Sequence, residues 1–187
     1  MKSVIHMIAT LTIIGVVAGG LLSEVNNWAN PLITANQKAE TEKAIFLVQP
    51  NGKSYEPVKS QELEIYKVFD ENKNIIGYSL VSAGNGFQGK VKIMTGLNND
   101  LSKIEMIEIL EQVETPGLGT KITEEPFKKQ FEGLQTLPQV KWVKGKAPEN
   151  PNEIETITGA TISSKAVVDI INFGLGKARS LKEKGAL

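Results

Sequence analysis

The segment Val4 to Leu22, VIHMIATLTIIGVVAGGLL, carries no charged side chain. Nineteen helical residues rise about 28 Å at ~1.5 Å each, close to the ~30 Å hydrocarbon core of a bilayer. A run of this length and composition reads as one membrane-spanning helix. His6 lies near one end, where it reaches the interface, and Thr10 and Thr12 can bond back to the helix's own carbonyls. Trp28 follows at interfacial spacing. The competing reading is a cleaved signal peptide, which has a shorter apolar stretch of about 7–15 residues and a small-x-small cleavage site. Here the apolar run is longer and no clear site follows it. We therefore expect an uncleaved anchor and juxtamembrane segment over residues 1–29 and a folded body over residues 30–187. Lys2 and the amino terminus flank one side of the span, and Glu24 is the first charge on the other. That asymmetry favours an inside N-terminus, with the body on the outer face of the inner membrane.

The body has the means to build a core, since 41% of the chain is hydrophobic. Lys+Arg and Asp+Glu are 21 each, so the chain lacks the basic surface of a nucleic-acid binder. With no Cys, it holds neither a structural disulfide nor a Cys-ligated iron–sulfur cluster. The single His, His6, cannot form a metal site of the usual two or three His. Electron transfer by this chain would need an organic cofactor.

Asn30-Pro31 reads as a helix start, an Asn cap followed by Pro, and the helix runs from Leu32 to about Val48, where Pro50-Asn51-Gly52 ends it. Leu63 to Phe69, Ile75 to Ala83, Lys90 to Leu97 and Lys103 to Val113 are rich in Ile, Val, Tyr and Phe, with short turn segments between them. Such spacing predicts an antiparallel meander. Thr123 to Phe131 reads as a short helix with a Thr cap, Gln139 to Lys144 as a strand, and Lys146 to Asn152 as a polar loop. After Ile154 to Ile157 comes a further helix, with Ala166, Val167, Ile170, Ile171 and Leu175 at helical spacing. Its tail, Lys177 to Lys184, reads as solvated. The fold class is α+β: helices packed on a small, mainly antiparallel sheet, preceded by one transmembrane helix.

Gly84 to Lys90 fits the G-x-x-x-x-G-K spacing of a phosphate-binding loop. That motif continues with Ser or Thr and opens a helix. Here Val91 follows and the next residues alternate like a strand, so a glycine-rich hairpin connection is the better reading. A stronger candidate begins at Glu155, reading ETITGATISS. Hydroxyls flank Gly159 and Ala160 at the start of an amphipathic helix. A helix N-terminus offers unpaired N–H groups and about half a positive charge, a ready anion site. Small residues admit a bulky ligand, hydroxyls can donate to phosphate oxygens, and Thr161 could itself be a point of attachment. An ordinary helix capped by Ser163 or Ser164 explains the same residues equally well.

Thr158-Gly159-Ala160-Thr161, with Ser163 and Ser164 beyond, resembles the flavinylation motif of the FMN-binding domain family. In that family the last Thr forms a phosphoester with FMN, installed by a magnesium-dependent flavin transferase. The family pattern usually begins with Asp six positions before that Thr; this chain has Glu155, which keeps the charge. Glu114-Thr115-Pro116-Gly117-Leu118-Gly119 resembles the loop that lies near the flavin in the same family, although Pro-Gly also suits a plain turn. The order and spacing of the two motifs, the single anchor and the glycine-flanked Phe87 resemble the G-subunit family of Rnf electron-transport complexes. The C subunits of sodium-translocating NADH:quinone reductases rank second, being usually longer. The resemblance implies covalent FMN on Thr161, with Thr158, Gly159, Ala160, Ser163, Ser164, Glu114, Thr115, Gly117, Leu118 and Gly119 around it. It implies no catalytic base and no metal on this chain. Its implied partners are the membrane, the flavin transferase and the other subunits of a complex coupling ferredoxin and NAD to ion transport.

Two other classes use the same residues: an anchored module binding a free anion, and an assembly subunit with a vestigial site. A flavin that stays on the chain through a denaturing gel separates the first reading from both.

The anchor carries a double expectation. N-terminal sequencing of the membrane-bound protein should find a start before residue 22. Protease added to right-side-out vesicles should release the body; release only from inverted vesicles would reverse the topology.

Overall fold

The computed structural model describes residues 2–60 and 63–187, and the chain divides into two compact units, Met1–Thr41 and Glu42–Leu187. One helix, α1 (Lys2–Val48), contributes to both. Its first part exposes Val4, Ile5, Leu11, Ile14, Val17 and Leu22, and is long and apolar enough to cross a membrane. Thr10 Oγ1 donates to the His6 carbonyl at 2.8 Å, which satisfies its hydroxyl without a partner outside the helix.

The helix start expected at Asn30-Pro31 is not there: α1 runs through Pro31. Proline removes one helical N–H bond, at a cost of about 3 kcal/mol. Good helix formers on both sides extend a helix that is already nucleated, and that outweighs one local capping signal. The Asn30 carbonyl accepts from Thr34 Oγ1 at 2.9 Å, so the helix is bonded on the C-terminal side of the proline.

The second unit is built on a five-stranded antiparallel sheet in sequence order: β1 (Ser54–Pro57), β2 (Glu64–Phe69), β3 (Ile75–Asn85), β4 (Lys90–Asn98) and β5 (Ile104–Glu111). The meander expectation holds, with β1 added at one edge. Its four residues are mostly exposed, so no apolar alternation marks them. Between β3 and β4 the glycine-rich segment is a hairpin connection, closed by Gly86 N donating to Gly89 O at 2.7 Å. It is not a phosphate loop.

Each sheet face is covered by a helix. Ala44, Ile45 and Val48, from the last turns of α1, pack with Val68, Val81 and Met94. Between the sheet and the C-terminal helix the chain makes a 3-10 turn (Gly119–Thr123), the single turn α2 (Glu125–Lys128) and a second 3-10 turn (Lys129–Phe131), burying Ile122, Phe127 and Phe131. Thr123 is not the cap expected there. Its Oγ1 bonds back to Thr120 O, and Glu124 holds the N-cap position with no side-chain bond. The strand expected at Gln139 to Lys144 contracts to β6 (Lys141–Val143), which pairs in parallel with β7 (Glu153–Glu155).

On the opposite sheet face α3 (Thr161–Glu183) buries Val167, Val168, Ile170, Ile171 and Leu175 against Leu80, Ile93, Leu97 and Ile107. The predicted helical stripe is therefore the core stripe. The tail read as solvated belongs to the same helix. Ala178 is buried, Arg179 donates to the Thr136 carbonyl and hydroxyl, and Lys182 donates to the Asn99 carbonyl. Long basic side chains lay their stems along the protein and bond at their tips, so charge alone does not mark them as solvated.

Close approach is glycine-dependent at Gly96. A Cβ added there would collide with the Val48 carbonyl oxygen, whereas one at Gly176 in α3 meets nothing within 4 Å. Gly96→Ala should destabilise the body by about 1–3 kcal/mol. Gly176→Ala should stabilise it by about 0.5–1 kcal/mol through helix propensity. Urea unfolding of both variants checks the pair; a neutral Gly96→Ala would contradict this packing.

Candidate functional site

The sheet leaves the hairpin tip at Gly86–Gln88 and the loop after β5 close together, and the first turn of α3 reaches both. A single carboxylate joins them. Glu114 is only 4% exposed. Its Oε1 accepts from Phe87 N at 2.8 Å and Gln88 N at 3.1 Å, and its Oε2 accepts from the Ser163 hydroxyl. Burying a carboxylate is tolerable only with such donors. Two glycines make room for it. A Cβ on Gly86 would collide with Glu114 Oε1, and one on Gly119 would lie 2.6 Å from Oε2.

The loop beyond Glu114 is a folded turn. Leu118 N and Thr120 N donate to Thr115 O, Gly117 N donates to Thr120 Oγ1, and Gly117 takes φ +75°, a conformation glycine adopts without strain. Gln88 Nε2 donates to Thr115 Oγ1 at 3.0 Å, a second tie between hairpin tip and loop. Leu118 is 48% exposed.

At α3 neither serine caps the helix. Ala160 holds the N-cap position with no side-chain bond. Ser163 is committed to Glu114. The Ser164 hydroxyl accepts from Ile157 N and donates to Ala160 O, both at 3.0 Å, so it latches the preceding turn onto the helix. Gly159 makes that turn at φ +84°, with Leu118 Cδ2 3.4 Å from where its Cβ would be. Among the described residues, the first amides of α3 therefore have no side-chain acceptor. The Thr161 hydroxyl has no hydrogen-bond partner among the described residues.

These elements enclose a cavity of about 600 Å³. Its lining includes Thr115, Leu118, Gly119, Thr158, Gly159, Ala160, Thr161 and Ser163. Glu114, Gly117 and Ser164 do not line it; Glu114 and Ser164 act from behind through the bonds just described. The remaining lining residues are Phe87, Lys144, Gly145, Thr156 and Ile162. Phe87 stands out in the sequence only as an aromatic flanked by glycines. Lys144 and Gly145 come from the end of β6, and the bond from Thr156 N to Val143 O places Thr156 beside them. The strand is legible in the sequence, but its three-residue parallel pairing with β7 has no signature, so sequence reasoning does not bring this wall to the site. Glu155, the first residue of the flavinylation-like motif, is a β7 residue whose N–H donates to Gln130 Oε1 at 2.7 Å.

The cavity size falls within the ~300–1,000 Å³ of ligand pockets. Phe87, Leu118 and Ile162 give it an apolar wall, and the α3 amides give it one polar, anion-favouring end. The set fits a phosphate-bearing planar aromatic ligand. Removing the clamp tests its role: Glu114→Ala should lower stability by about 1–3 kcal/mol. It should also speed amide exchange at Phe87 and Gln88, measured by NMR, while Glu114→Gln does less. Unchanged protection at both amides would show that the carboxylate does not hold the hairpin tip.

Residues 86–176 match the FMN-binding domain. The G subunit of the ion-translocating oxidoreductase complex of Methanosarcina acetivorans is 29% identical, over 91% of this chain and 92% of that protein. The G subunit of the Na(+)-translocating ferredoxin:NAD(+) oxidoreductase complex of Acetobacterium woodii is 31% identical, over 92% of this chain and 85% of that protein. The C subunit of the Na(+)-translocating NADH-quinone reductase of Yersinia pestis is 30% identical, but the match spans 64% of this chain and only 47% of that protein. The crystal structure of the C subunit of the same type of reductase from Parabacteroides distasonis shares the fold, with a TM-score of 0.60 at 20% identity over 76% of this chain and 92% of the other. The chain belongs to the G-subunit family of ion-translocating oxidoreductase complexes and carries that family's FMN-binding domain.

Proposed function

We propose that this chain carries one FMN as a phosphoester on Thr161 and passes electrons between its neighbours in an ion-translocating ferredoxin:NAD oxidoreductase complex. The observation that carries the reading is the Thr161 hydroxyl. It belongs to the first residue of α3, lines the cavity and has no partner among the described residues, while Ser163 and Ser164 are both engaged. Thr158 also lines the cavity but precedes the helix, separated from it by the Gly159 turn.

FMN, when bound, supplies the redox chemistry. The residues supply position. The α3 amides would meet phosphate oxygens, and the Ser164 latch would keep the attachment point rigid. Phe87, Leu118 and Ile162 would pack on the ring, with Phe87 aimed by Glu114. No general base is required of the chain. A covalent bond removes the dissociation equilibrium, which matters on an outer face with no flavin pool to replace losses. The partners in this reading are the other membrane and iron–sulfur subunits, with a flavin transferase acting once at maturation. Residues 1–29 serve as the anchor. The C subunit of an NADH:quinone reductase is the weaker alternative, because this chain spans about half the length of the curated relative of that type from Yersinia pestis.

Thr161→Ala should fold with a melting temperature within a few degrees of wild type, since the threonine side chain makes no described protein bond, and should carry no covalent flavin. Thr158→Ala should stay loaded, and Thr161→Ser should retain part of the load. Intact mass reads the result directly, as polypeptide plus one FMN less one water. Fluorescence on the denatured Thr161→Ala chain would place the flavin elsewhere.

A further inference from the structure

Lys144 is the sole charged side chain lining the cavity among the described residues. It is exposed at the end of β6, and no described residue forms an ion pair or hydrogen bond with it. Just behind the wall stands the opposite charge, Glu114, met by its backbone and hydroxyl donors. The geometry points to Lys144 as a positioning residue for charge: its ammonium raises the reduction potential of a flavin held in the cavity. The inference rests on the FMN reading above.

The physical step is simple. An oxidised flavin that takes up two electrons and one proton gains one net negative charge. The electrons come from the neighbouring redox subunit in the complex, or from a chemical reductant in a titration, and the proton comes from solvent. No bond in the protein forms or breaks. Negative charge arriving in a pocket walled by Phe87, Leu118 and Ile162 is costly, and a cation at the edge of that pocket reduces the cost. Lys suits this task as a compact point charge on a flexible stem that can follow a ligand. Gly145 beside it takes φ +65° with nothing near its Cβ position, so this wall bends without intruding.

The test uses the full-length flavinylated chain in detergent with Lys144→Gln and Lys144→Glu. Flavin load is read by intact mass, and the midpoint potential by reductive titration against reference dyes. The potential should fall in the order Lys, Gln, Glu. The bias toward the reduced form should weaken on the order of tenfold per unit of charge removed. Because Lys144 is exposed, the differences should shrink at ~1 M salt, where the Debye length is about 3 Å. A loaded series with one common potential overturns this inference alone. So does a Lys144→Gln chain that takes no flavin while the wild type does, because the lysine then serves attachment. A wild-type chain with no flavin overturns the FMN reading, and this inference with it.

Discussion

The site depends on one buried carboxylate. Glu114 lies three residues beyond the end of β5, yet its oxygens hold a hairpin tip 26 to 27 residues earlier and a helix start 49 residues later. Besides this carboxylate, an amide bond from Gln88 to Thr115 ties the hairpin tip to the loop. The desolvation cost of the buried charge is met by donors that have no better partner nearby. Two residues of the cavity wall, Phe87 and Ser163, are bonded to the same group behind it.

Much of the body was legible from pattern. The apolar positions of α3 lie at helical spacing and are the residues that pack on the sheet. The glycine-rich hairpin could be told from a phosphate loop because Val91 and its neighbours alternate. The failures have physical reasons. Pro31 is a strong local stop, but a long helix on both sides carries through it. Ser163 and Ser164 look like caps from sequence because capping needs only a hydroxyl near a helix start. What claims them instead is a carboxylate far away in sequence and the turn at Ile157 and Ala160. β6 falls within the strand expected at Gln139 to Lys144, but its parallel pairing with β7, three residues each, leaves no signature in the sequence.

The candidate site divides the same way. Thr158 to Thr161 and the loop from Thr115 to Gly119 stand out through a motif resemblance, and the fold brings the first four residues together with Thr115, Leu118 and Gly119 in one cavity. The resemblance puts Glu114 at the cofactor, whereas its geometry shows a clamp behind the wall. Lys144 has no signal at all. A lysine between a valine and a glycine is ordinary until parallel pairing puts it beside Thr156.

A Cβ added at Gly86 would crowd one oxygen of the Glu114 side chain, and one added at Gly119 would crowd the other. The three positions therefore cannot vary independently. Shortening the acid at 114 would free neither glycine, since a Cβ at Gly86 would still lie 2.8 Å from Val91 Cγ2 and one at Gly119 would still lie 2.8 Å from both Glu114 Cβ and Ser163 Oγ. Enlarging either glycine would push the carboxylate off the donors that hold it. One carboxylate with no spare room thus ties three positions far apart in sequence into a single steric unit.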